Sequence, residues 1–290
     1  MRMQRAMLYA AGVVLLLVMG AVLFRMVPTI TAAGQGEGPA TALGGGPIVS
    51  SGTQMIAAGR QTFRFDTFGD EAFWGDALHL HQAIEGAGLG GVGPGVSPKT
   101  ALAVGLKVDM DALPARLVAQ IKAGTVNLDD PTTTLALLKL NAVVGVQGFF
   151  NAQGTSLRSI GITCAICHST VDNAFAPGIG HRLDGWANRD LNVGAIVGLS
   201  PNPTPIAKLL GVDVPTMHKV LSGWGPGKFD AELLLDGKGS RPDGKTAATL
   251  IPPAFGLAGV NLHTWTGWGQ VTYWNCLLYT SPSPRDRQKS

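Results

Sequence analysis

The chain has 290 residues, 46% of them hydrophobic and 14% charged, with 40 Gly and 18 Pro. That balance allows a packed core and excludes wholesale disorder, while the Gly and Pro content argues against a helix bundle or one large regular sheet. The formal net charge of +3 comes from the ends, with Arg2, Arg5 and Arg25 at one and Arg285, Arg287 and Lys289 against Asp286 at the other; the remainder holds 16 basic and 18 acidic residues, so no basic surface is left to recruit nucleic acid.

In chain order, Arg2 and Arg5 precede an uncharged apolar run, Ala6–Phe24, of 19 residues. It is longer than the roughly 7–15 residues of a signal-peptide core and close to the roughly 20 that span a bilayer. Residues 1–33 are therefore expected to be either a cleaved signal, cut after Ala33, or an uncleaved membrane anchor. Both readings leave the body outside the cytoplasm, in the periplasm or its equivalent. Residues 34–53, rich in Gly, Ala and Ser, read as a flexible linker.

The body is expected to run from 54 to 275. Met55–Phe65 predicts a first helix. Asp70 can cap a second, from Glu71 to Glu85, before the Gly-rich loop Gly86–Lys99. A third helix is expected over Pro114–Ala123, stopped by Gly124, and Asp130-Pro131 should start a fourth ending near Asn141. Val143–Phe150 and Leu157–Ile162 flank Asn151–Thr155 and predict a β-hairpin. Short helices are expected at Pro205–Leu210 and Pro215–Ser222, within long Gly/Pro-rich loops, and no internal repeat is present. The fold class expected is mainly α with a small β-hairpin. The run Cys276-Leu-Leu-Tyr-Thr-Ser281 is what the transposase mosaic end of common library adaptors translates to. Cys276–Ser290 is therefore set aside as adaptor-derived, and the natural chain is expected to continue past Asn275.

The chemistry concentrates in Cys164-Ala-Ile-Cys167-His168. C-x-x-C-H is the attachment signature of haem c: two thiols one short turn apart each add to a porphyrin vinyl group, and the next residue offers its imidazole to the iron. A zinc half-site would need a second pair of ligands, and no second Cys pair exists. A thioredoxin-like pair belongs in a βαβ unit, which the sequence does not predict. One covalent haem c per chain is the cofactor expected, with Cys164, Cys167 and His168 holding it.

Downstream of the motif come Gly178-Ile-Gly-His181-Arg182-Leu-Asp-Gly185 and Asn188-Arg-Asp-Leu-Asn192. This stretch resembles the first haem domain of di-haem cytochrome c peroxidases, where a Gly-His and an Arg/Asn-rich turn follow C-x-x-C-H. A second stretch, Pro252-Pro-Ala-Phe to His263-Thr-Trp265-Thr-Gly267, resembles that family's Pro-led segment ending in an aromatic and a Gly. Phe63–Glu71 also resembles a motif of uncharacterised members of this broad group. The likeness spans Gly161–Gly267 and implies a cytochrome c-like fold. It also implies a displaceable distal ligand at His181, and pocket roles for His263, as acid or base, and Trp265. Family members carry a second C-x-x-C-H, which this chain lacks.

The sixth iron ligand stays open among His181, His81, His263 and Met217. On a continuous helix His81 would sit mid-stripe with Trp74, Ala77, Leu78 and Ile84, and His79 would face the opposite, polar side. Met217 shares a face with Val214, Val220 and Leu221, which is equally the pattern of a core residue. Arg182 and Arg189 suit haem propionates, because guanidinium matches carboxylate. Trp186, Trp224, Trp265 and Trp268 can wall a haem or simply fill core. Asp230, Asp236 and Asp243 match no Ca²⁺ loop.

Two function classes follow. One is the N-terminal, electron-transferring haem domain of a di-haem peroxidase-like protein. The other is a tethered mono-haem carrier or haem-based sensor without catalysis. The expected partner is a small cytochrome, a cupredoxin or a quinol chain, and no nucleic acid.

Overall fold

The computed structural model describes residues 47–230 and 248–254. The leader, most of the expected linker, His263, Trp265, Trp268, Asp236, Asp243 and the tail from Cys276 lie outside the described residues. The chain divides into units Met1–Val49 and Ser50–Ser290, and the account below concerns the second, apart from the start of its first helix. Among the described residues helix makes up about 44% and strand 15%, and the strands form small two-stranded sheets. Among the described residues no helix is long and apolar enough to cross a membrane.

Helix α1 (Pro47–Phe65) begins inside the stretch expected to be linker. Its middle is solvent-exposed, with Met55 at 74% and Ile56 at 67%. Its last turn is anchored, where Phe63 packs on Val144, Ala165 and Val171. The chain then turns at Phe68 and Gly69, both at positive φ, and the Asp70 N–H donates to the Thr67 carbonyl at 2.9 Å.

The expected helix from Glu71 to Glu85 is broken. A π-helical turn covers Ala72–Ala77, its width marked by the Leu78 N–H donating to the Phe73 carbonyl. His79 then adopts φ 56°, and a separate helix α2 (Leu80–Glu85) follows. The cause is tertiary. Gly75 lies so close to Ser159 that a Cβ there would fall 1.5 Å from its Oγ. The turn widens to press on the hairpin, and this overrides a sequence that reads as one amphipathic helix. His79 therefore does not occupy the polar face of a continuous helix.

Helix α3 (Pro98–Ala103) is capped by the Ser97 hydroxyl, which accepts the Thr100 N–H at 3.2 Å. Strand β1 (Val108–Asp109) and helix α4 (Ala115–Lys122) follow. Asp130 caps α5 (Pro131–Lys139), accepting the Thr132 N–H at 2.8 Å. Strands β2 (Val146–Phe150) and β3 (Leu157–Ile162) form the predicted antiparallel hairpin, with a bulge at Phe149/Phe150. Leu78, Leu80, Leu138, Leu157 and Ile160 bury one face of this layer in a single core.

Helix α6 (Ala165–His168) leads directly into β4 (Ser169–Val171). Strand β5 (Ile179–Gly180) pairs parallel to β1, and β6 (Arg182–Asp184) pairs antiparallel to β4. Helices α7 (Val193–Gly198), α8 (Thr204–Leu210) and α9 (Val214–Ser222) extend the same core, and β7 (Lys228–Phe229) pairs with β8 (Thr249–Leu250).

Candidate functional site

The C-x-x-C-H segment forms one short helical turn, closed by the His168 N–H donating to the Cys164 carbonyl at 3.2 Å. Its footing is specific. Gly145, at φ 79°, lies beneath the turn, and a Cβ there would come within 2.1 Å of the Ile166 nitrogen. The Thr163 N–H donates to the Gly145 carbonyl at 3.0 Å. The Thr163 hydroxyl accepts the Ala165 N–H at 3.3 Å and donates to the Arg64 carbonyl at 3.2 Å, tying the turn to the end of α1.

The far side is held by Asn188, 2% exposed. Its side-chain amide donates to the Gly105 carbonyl at 2.9 Å and the Ile166 carbonyl at 3.3 Å, and its N–H donates to the Cys167 carbonyl at 2.9 Å. Gly185 N–H donates to the His168 carbonyl at 2.8 Å. The turn is thus fixed from both sides while the Cys164 side chain faces outward.

Both thiols are free. Burial pushes the Cys167 thiol up to about 12, with Cys164 adding to the effect. A thiol-exchange pair needs a lowered pKa on its attacking sulfur, so this environment disfavours that chemistry. Among the described residues no group of three or more His, Cys, Asp or Glu is gathered as a metal site.

The His168 ring is oriented by a backbone group. Nδ1 lies 3.0 Å from the Pro252 carbonyl oxygen. A carbonyl only accepts, so Nδ1 carries the proton and Nε2 keeps its lone pair. Burial lowers the His168 pKa, which favours the neutral ring that iron needs. Two free thiols and an imidazole with Nε2 left open, presented by one rigid turn, fit the attachment of a haem. The apolar cavity around Leu137 and Ile160 and the polar cleft at His79 and His81 are not lined by Cys164, Cys167 or His168.

The other candidates are scattered. The backbone of His181 stands at the opposite end of the β4–β6 ladder from His168, its carbonyl accepting the Asp172 N–H at 3.1 Å. The separation along the strand is roughly 13 Å at about 3.3 Å per residue. Its Nδ1 is 2.8 Å from the Asp111 carboxylate, which again leaves Nε2 open. Arg182 is buried, 3.4 Å from Asp184 and 3.8 Å from Asp109, while its Nε and Nη2 make no hydrogen bond. Burial pulls its pKa down.

Asp184 also pairs with Arg64 at 2.6 Å and accepts the Ser169 hydroxyl at 2.8 Å. Burial pushes the Asp184 carboxyl up, but Ser169, Arg64 and Arg182 together hold it below the usual range. Met217 is fully buried in the main core. His81 lines a cleft with Leu157 and Arg158, at the end of β3 remote from Cys164. Trp186 is 55% exposed and Trp224 is 2% exposed in the core.

The sequence assigned no individual role to Gly145, Asn188, Arg64 or Pro252, although the last three lie in stretches that carry the resemblance. Asn188 stands in the Arg/Asn-rich turn but carries no motif signal of its own. Pro252 acts through a carbonyl that any residue possesses.

No protein-family model, no curated protein and no solved structure matches the chain.

Proposed function

We propose that this chain is an exported c-type cytochrome domain that carries one covalent haem on Cys164 and Cys167, with His168 as an axial ligand, and passes single electrons. The observation that carries this reading is the His168 ring, whose Nδ1 is committed to the Pro252 carbonyl 84 residues away. A core histidine gains nothing from keeping Nε2 free, whereas a metal ligand needs its second nitrogen fixed by such a partner. A haem held there supplies a reversible one-electron iron couple. The protein's own part is to hold the turn rigid through Gly145, Thr163 and Asn188, so that electron gain and loss move little structure. Arg182, with two guanidinium nitrogens lacking hydrogen bonds, suits a propionate.

The finer reading is a cytochrome c-like domain forming the N-terminal half of a di-haem peroxidase-like protein. Its support is the stretch from Gly161 to Gly267, with His181 as a displaceable distal ligand and His263 and Trp265 at the pocket. A small cytochrome, cupredoxin or quinol chain in the periplasm would exchange electrons with it.

The test is expression with a haem c maturation system, followed by acid–acetone extraction. The wild type is expected to keep its haem in the protein fraction, and the Cys164→Ala, Cys167→Ala double variant to lose it. Haem that stays with the denatured double variant overturns the proposal.

A further inference from the structure

The apolar layer between α2, α3, α5 and the β2–β3 hairpin is not completely filled. It encloses a cavity of about 70 Å³, walled by residues that include Leu80 of α2, Ala101 of α3, Leu137 of α5 and Ile160 of β3. Ile166 adds to the wall from the C-x-x-C-H turn, and Leu199, 45% exposed, stands where the wall meets solvent. Protein interiors are close-packed, with few voids larger than a water molecule, so an opening of this size is a departure from ordinary core packing.

The wall holds one polar group that lacks a partner. Thr134, on α5, is 6% exposed, and among the described residues its hydroxyl makes no hydrogen bond. A helical threonine commonly donates to the carbonyl four residues back, and Thr134 does not. The other polar residue of the wall, Lys107, has its ammonium paired with the Asp190 carboxylate. Every remaining side chain of the wall is apolar.

The geometry points to a binding site for a small neutral molecule with an aliphatic skeleton and one hydroxyl, a short-chain alcohol. Size sets the number of atoms. A cavity of about 150 Å³ takes benzene, with six heavy atoms, so this one suits roughly half as many, three or four. Chemistry sets the single polar atom. Water needs about two to four polar partners, and one hydroxyl is too few to hold it. A purely apolar occupant would leave the Thr134 hydroxyl unsatisfied, and an ion would find no free opposite charge. An alcohol oxygen can either accept from the Thr134 hydroxyl or donate to it, while its carbon chain packs on Leu137 and Ile160. The site touches the C-x-x-C-H turn only through Ile166, so it stands whether or not haem is attached.

The probe is 1-propanol, followed by methyl NMR on the full chain, with and without the Cys164→Ala, Cys167→Ala substitutions. The Ile160 methyl signals are expected to shift and saturate with a Kd between about 0.1 and 10 mM, the range open to a ligand of so few atoms. Thr134→Val, nearly the same shape without the hydroxyl, should weaken 1-propanol binding at least about fivefold. Without ligand this variant should melt no lower than wild type, because the lost hydroxyl had no bond to lose. Xenon fills apolar voids and makes no hydrogen bond, so it should bind wild type and Thr134→Val alike. Ala101→Val adds two methyl groups to the wall and should abolish binding of both probes. Shifts that stay linear to about 100 mM 1-propanol, or that are as large at Leu210 of α8 as at Ile160, overturn the site. So does an unchanged 1-propanol affinity in Thr134→Val.

Discussion

Asp70 shows how one carboxyl can link the first turn of the body to the strand that leads into the C-x-x-C-H turn. Its Oδ1 accepts the Ile162 N–H at 2.9 Å, two residues before Cys164, and its Oδ2 accepts the Trp74 indole N–H at 2.9 Å. Gly161 has no side chain because Thr67 and Asp70 fill the space, with Asp70 Oδ1 only 2.9 Å from where a Cβ would stand. Burial is the main cause that raises the Asp70 pKa from 3.8 to about 7, against the two hydrogen bonds that lower it. Between those values the folded chain holds a proton that the unfolded chain has lost. The contribution of this group to stability is therefore complete below about 4 and falls as pH rises towards 7. Asp70→Asn cannot titrate. Urea midpoints at pH 5 and pH 7.5 should converge in the variant relative to wild type, after an overall loss of about 1 kcal/mol for the hydrogen bond the amide cannot replace. Comparison with wild type cancels the opposing titrations of His81 and His168, whose pKa values are lowered. An equal pH slope in the two proteins counts against this account.

Among the elements, the short turn Ala165–His168 has the least support of its own and depends most on its neighbours. Gly145→Ala should be a severely damaging single-methyl change at the turn. It combines a left-handed φ of 79° with a Cβ 2.1 Å from the Ile166 nitrogen, and both are backbone conflicts. A loss above about 2 kcal/mol is expected in denaturant melts, together with poorer haem incorporation during maturation. Met217 on α9 tests the opposite expectation. It is fully buried in the main core, so Met217→Ala should cost about 2–5 kcal/mol and, under the proposed haem attachment, leave the haem's optical spectrum unchanged. A changed haem spectrum would instead make Met217 a ligand.

The elements also differ in how far the sequence announced them. Helices α4 and α5 and the β2–β3 hairpin follow from Pro, Asp and Gly at their ends and from apolar spacing. The break at Leu78–His79 was hidden because its cause, the fit of Gly75 against Ser159, joins residues 84 positions apart. Strands β4 and β6 hold three residues each, too few for a period of two to register. C-x-x-C-H was legible because its chemistry needs fixed residue types at fixed spacing. The Pro252 carbonyl that orients His168 was not, since every residue has one.

For the whole molecule, the placement of the elements around the C-x-x-C-H turn bears on which residue could serve as sixth ligand to the proposed haem. Extended strand β3, six residues long, separates the His81 cleft from Cys164, a span of roughly 17 Å at about 3.3 Å per residue. An iron bound to His168 lies only about 2 Å from its ring nitrogen, so His81 is out of reach without unravelling α2. Met217 is committed to the core. His181, in contrast, follows Gly178-Ile-Gly180 and sits half-exposed at the edge of β6, with Gly178 at φ 78°. Its Nδ1 is held by the Asp111 carboxylate, itself 64% exposed, the kind of partner that fixes a ligand's tautomer yet is easily released. Under the proposed haem attachment, His181 is the displaceable ligand among the described candidates, and reaching the iron requires the Gly178–Gly180 loop to carry it across the roughly 13 Å that separates it along the ladder from His168. The oxidised wild-type protein should then be low-spin, and His181→Gly should become high-spin by electronic and EPR spectroscopy. Asp111→Asn should shift the same equilibrium part of the way, because a neutral amide orients the ring less firmly. His81→Gly should leave the spin state alone and lower stability, having emptied a half-buried position. A low-spin spectrum retained in His181→Gly, with high-spin iron in His81→Gly, would reverse the assignment.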